Sequence, residues 1–214
     1  VAVCARISYT YASTGTVRAT GGGMSTTDLF VELIVVGCGA FTALLLLLLA
    51  IFGVDSSLLQ QLTTMPVLAL PALVLIYLLG ILTDRFADRL FNLYWVNQKQ
   101  QQQYPGGQAR FHQDKTLVLA KSERFAALYE YSRSRQRICR GWALNSLLLL
   151  FSAELLLFSR FWHWPQSWLL AVTLLLLLVL LCCCCCYAWL QMLDTELRRV
   201  QEQATLLRST EGPD

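Results

Sequence analysis

The stretch SWLLAVTLLLLLVLLCCCCCYAWLQML, residues 167–193, carries no charged side chain along its whole length. An α-helix rises about 1.5 Å per residue, so about 20 apolar residues suffice to cross the hydrocarbon core of a bilayer. This stretch is long enough, and it has company. Residues 33–54 contain no charge before Val54 ends the run and include six consecutive leucines at 44–49. Residues 62–83 form a third apolar block with Pro66 and Pro71 near its start, where they are expected to bend it. Residues 141–159 form the last, interrupted by Glu154.

Of the 214 residues 56% are hydrophobic and only 14% charged, whereas soluble domains carry charge on about a quarter of their residues. The four blocks therefore read as an all-α integral membrane protein with four transmembrane helices. The links at 55–61 and 160–166 are short, which forces antiparallel neighbours and gives two hairpins. The long link, residues 84–140, holds eleven of the seventeen Lys and Arg residues, while the two short links hold only Arg160. By the positive-inside rule the long link and both termini are expected in the cytoplasm, in a bacterial inner membrane or its equivalent. Trp162, Trp164 and Trp168 would mark the outer interface, and Trp142, Tyr187 and Trp189 the inner one.

The polar part also reads as helical. Phe86, Ala87, Leu90, Leu93 and Tyr94 recur at helical spacing, so the second span is expected to continue to about Gln103. Tyr-Pro-Gly-Gly at 104–107 stops it. Asp114 reads as the N-cap of a second helix that runs into the third span, completing a cytoplasmic hairpin over residues 84–140. In the tail, residues 194–214, the fourth helix continues. Leu190, Leu193, Leu197, Val200, Ala204 and Leu207 form a heptad seam. Asp194 is spaced to pair with Arg198, and Glu196 with Arg199. The seam either packs on the hairpin of its own chain or joins copies of the chain. Helices two, three and four thus extend from the bilayer as a small helical bundle. Residues 1–28 are polar and are expected to be disordered. Met24 reads as a natural start, which makes residues 1–23 upstream sequence; the alternative is a tail.

Few residues suggest chemistry. Glu154 is a carboxyl inside a span, where charge costs several kcal/mol unless it is neutralised, paired or hydrated. It reads as an ion or proton ligand, with Ser152 or Thr42 as helpers, or as a neutral carboxyl bonding between helices. Arg133, Arg135, Arg137 and Arg140 collect at the inner headgroup level, as contacts to anionic lipid or to a partner. Asn145 and Ser146 read as polar contacts between helices, and Gly37 and Gly39 as a close helix approach. The five cysteines at 182–186 read as small apolar packing or as an acylation site.

The two histidines, His112 and His163, fall on opposite sides of the membrane, so they build neither a metal cage nor a catalytic pair. No phosphate loop, nucleophile elbow or metalloprotease motif occurs. No catalytic, metal or cofactor residues are therefore assigned, and a net charge of +3 gives no reason to expect nucleic acid. The expected function is non-catalytic, with cytoplasmic helices binding a protein partner or copies of the chain beside the lipid bilayer. The alternative is a small oligomeric ion channel or pore with Glu154 in its pathway.

Overall fold

The computed structural model describes residues 26–53, 66–104, 106–121, 123–160 and 163–210. The described residues are helical between their turns and contain no strand. Helix α1 is Thr26–Phe52 and α2 is Ala69–Phe91, entered through a 3-10 turn, Pro66–Leu68. A π-helical turn, Asn92–Val96, joins α2 without a break to α3, Asn97–Gln103. Helix α4 is Gly107–Lys121, α5 is Glu123–Arg160, and α6 is Ser167–Thr210. Four helical segments are long and apolar enough to cross a membrane, in α1, the α2–α3 rod, α5 and α6. The 44 residues of α6 extend about 66 Å.

Local sequence explains the ends. Gly53 adopts φ +75°, and its N–H closes α1 by donating to the Leu49 carbonyl at 3.1 Å. A left-handed residue that ends a helix is most often glycine, which has no Cβ to clash. Pro71 sits in the first turn of α2, where the missing N–H would have no helical partner anyway. Both prolines therefore lie where the described part of this helix begins. Tyr104 leaves the helix in an extended conformation, and Gly106 and Gly107, at φ +93° and +70°, turn the chain into α4. Helix α4 thus begins at Gly107, not at Asp114, which lies buried within it.

The helices approach closely where side chains are smallest. A Cβ on Gly37 would overlap the Ile76 carbonyl, and one on Gly80 would overlap the Leu33 carbonyl. The backbones of α1 and α2 therefore touch, and the pairing of 33 with 80 and 37 with 76 runs in opposite chain directions. Helix α1 also packs along α5, with Gly141 against Val36 and Asn145 beside Gly39. The buried Asn145 donates its side-chain N–H to the Val36 carbonyl at 2.7 Å. Small-residue contacts with one side-chain hydrogen bond are how apolar helices associate when their surroundings are as apolar as themselves. Leu176, Leu177 and Leu180 on α6 are 60–64% exposed, a continuous apolar surface that a water-soluble fold would cover.

At the polar end the core changes character. Trp189, Leu193, Leu197 and Val200 of α6 cluster with Phe91, Tyr104 and Phe111. The heptad seam therefore packs within its own chain, with Leu193, Leu197, Val200 and Ala204 at most 5% exposed. Its acids also look inward. Asp194 pairs with Lys99 at 2.7 Å, not with Arg198, and Glu196 accepts from Gln136 at 2.9 Å and lies 3.7 Å from Lys115, not paired with Arg199. The expected links at 55–61 and the segment 1–23 lie outside the described residues.

Candidate functional site

A cavity of about 380 Å³ opens at the polar end, between α2, α4, α5 and α6. Each wall supplies charge at helical spacing. Helix α2 contributes Asp84, Arg85 and Asp88, and α5 contributes Arg133, Arg137 and Arg140. Lys115 comes from α4 and Glu196 from α6, while Trp189 and Phe111 form an aromatic floor. The π-helical turn and α3 add Asn92 and Gln100.

The structure thus divides the arginine cluster. Residues 133, 137 and 140 share one helix face, whereas 135 is offset from 133 by about 200°. Arg135 lies outside the cavity, 4.4 Å from the Tyr131 ring, along a separate groove that includes Tyr187 and Arg199.

Five cations face three carboxylates in the cavity, an excess of two positive charges. Two pairs cancel internally. Arg140, its side chain only 11% exposed, donates to Asp88 at 2.5 Å, and Lys115 stands 3.7 Å from Glu196. Lys115 also donates to the Tyr129 hydroxyl and lies over that ring at 4.1 Å. Arg85, Arg133 and Arg137 make no ion pair among the described residues, and Asp84 is the one cavity carboxylate in the same condition. Two buried atoms beside them also have no hydrogen-bond partner: the Arg140 Nε, a donor, and the Gln100 Oε1, an acceptor. Buried polar atoms in native folds are rarely left this way without a water, ion or ligand to meet them.

A second polar cluster ties α4 to Tyr104 and to the end of α6. Asp114 is 4% exposed; it accepts from the Tyr104 hydroxyl at 2.6 Å and from Arg208 near the end of α6. Burial, followed by the hydrogen bond to Asp114, raises the Tyr104 phenol above its ordinary range.

Glu154 stands apart from both clusters. Its Oε1 is buried without a partner among the described residues. The expected helpers are engaged within their own helices, Ser152 with the Leu148 carbonyl and Thr42 with the Cys38 carbonyl, each at 2.8 Å. A second intramembrane-type acid escaped the sequence reading. Glu32 is 8% exposed and accepts from the Ser134 hydroxyl, while its Oε2 is buried without a partner. The signal is an acid one residue before the uncharged run that opens at Leu33, within the first turns of α1. Ser134 and Glu154 are 20 positions apart on one helix, about 30 Å, so the two acids do not act on one group.

Cys182, Cys185 and Cys186 pack with Cys139 against the core, whereas Cys183 and Cys184 are exposed. Among the described residues no three His, Cys, Asp or Glu side chains are grouped to hold a metal ion. Comparisons with protein-family models, curated proteins and solved structures find no match.

Proposed function

We propose that the chain is a non-catalytic, four-span membrane protein whose polar end is a folded cytoplasmic head that receives a ligand or partner. In this reading the spans form two antiparallel hairpins, and the head is the bundle of α3, α4 and the polar ends of α2, α5 and α6. The observation that carries it is the charged cavity of about 380 Å³ within packed helices. Its size falls in the range of small-molecule sites. The concentration of Lys and Arg in residues 84–140 supports the orientation. Burial of Leu193, Leu197, Val200 and Ala204 within the chain favours binding through the cavity over self-association through the heptad seam.

Exposed Ala109, replaced by cysteine in a chain with its other cysteines removed, tests the orientation. An impermeant maleimide should label it in inside-out vesicles and not in intact cells. Crosslinking in native membranes tests the binding role, and recovery of bare monomers alone would count against it.

A second reading, a small oligomeric pore, draws on the buried unpartnered oxygen of Glu154. Ion flux through reconstituted protein that changes with Glu154→Gln would favour it, and absence of flux would remove it.

A further inference from the structure

We propose that the cavity bordered by Arg85, Arg133, Arg137 and Arg140 binds the phosphate group of a phosphorylated ligand. The proposal rests on the reading of the polar end as a binding head, but not on which side of the membrane that head lies.

Three guanidinium groups from two different helices, Arg85, Arg133 and Arg137, open on one space without an ion pair among the described residues. Arg85 and Arg133 stand at the exposed rim of the cavity and Arg137 deeper on the same wall as Arg133, so an anion that enters it meets donors from both sides. A guanidinium presents its N–H donors as a planar fork that matches the oxygens of carboxylate or phosphate. A carboxylate has two oxygens and one charge. A phosphate monoester offers three oxygens and up to two charges, which matches both the number of open guanidiniums and the excess of two positive charges in the cavity.

The two unpartnered buried atoms specify more. Arg140 Nε is one further donor for a phosphate oxygen. Gln100 Oε1 is an acceptor on a residue only 6% exposed, and no phosphate oxygen at neutral pH satisfies it well. It calls for a hydroxyl or amine on the same ligand. The structure therefore assigns a ligand with phosphate at one end and a hydrogen-bond donor near it. Trp189 and Phe111 supply apolar contact for the carbon frame between.

Two sources provide this chemistry. Arg85 and Arg140 lie at the borders of the apolar segments, which places the cavity where a phospholipid headgroup could enter. A soluble phosphomonoester could enter by the same opening.

The full chain, purified in detergent, is titrated calorimetrically with glycerol 3-phosphate. In parallel, retention of dioctanoyl phosphatidic acid is read by native mass spectrometry. Saturable one-to-one binding of either probe is expected: of the first alone for a soluble ligand, of the second for a headgroup. Arg133→Gln with Arg137→Gln should weaken it by about tenfold or more. Arg135→Gln, on the same helix but outside the cavity, should leave it within about twofold. Arg85→Gln, on the exposed side of the opposite wall, repeats the test should the double variant not fold. Absence of one-to-one binding of both probes overturns the proposal, as does an equal loss with Arg135→Gln, which would reveal nonspecific surface attraction. Labelling of Ala109→Cys from outside the cell would overturn the orientation while leaving these titrations unaffected.

Discussion

Replacing Asp114 with alanine should release the far end of the head. The carboxylate is 4% exposed and holds two groups, the Tyr104 hydroxyl at 2.6 Å and the Arg208 guanidinium. Tyr104 is itself 4% exposed, so its hydroxyl would be left buried without an acceptor, which costs about 1–3 kcal/mol. Arg208 is 44% exposed and can turn to water, so its share is only about 0.5 kcal/mol. The total, about 1.5–3.5 kcal/mol, corresponds to a roughly 10- to 400-fold rise in local opening. Hydrogen exchange in detergent reads this directly. Backbone amides near Val118 in α4 and near Ala204 in α6 should lose protection by that factor, while those near Ala143 in α5 keep theirs. Unchanged protection at Val118 and Ala204 would refute the reasoning, because it would mean that the Asp114 contacts contribute nothing to docking the two helices.

The Tyr104 phenol gives that end of the head an alkaline limit. Its pKa is higher in the folded chain than the ordinary value of about 10, so its stabilising contribution is complete below pH 10 and is lost as pH climbs through the folded value. Tyr104→Phe should flatten the decline in stability measured by thermal unfolding above about pH 10. Gly80→Ala would push a methyl group into the Leu33 carbonyl and should destabilise the α1–α2 contact by about 1–3 kcal/mol, seen as unfolding at lower SDS concentration. Asn145→Ala, which removes the bond to the Val36 carbonyl, should have a smaller effect of about 1 kcal/mol in the same titration.

The all-helical class and the four long apolar helices are legible because length and lack of charge are local properties of the chain. What the sequence hides depends on partners far along it. Asp114 resembles an N-cap because aspartate favours caps and the pattern before it is weak. Its actual role is set by Arg208, 94 positions away, which no local pattern reveals. The four arginines look like one belt when counted along the chain, yet the helical repeat turns Arg135 away from the other three. Gly80 looks like any residue of a leucine-rich run until Leu33 and Gly37 are laid against it. The cavity itself comes from four helices, so no single stretch announces it.

The π-helical turn at Asn92–Val96 has a consequence for how this chain tolerates change. One surplus residue is wound into the rod there, which rotates everything beyond it by about 100° relative to an uninterrupted α-helix. Upstream, Gly80 is aimed at α1; downstream, Lys99 is aimed at Asp194 and Gln100 into the cavity. Deleting one of those five residues would let the turn close into regular α-helix with Lys99 and Gln100 facing as they do now, whereas deleting one from the regular helix between Gly80 and the turn would swing Lys99 through more than a quarter turn. The segment works as a slack turn between two faces, able to give up one residue that the regular helix on either side of it cannot spare.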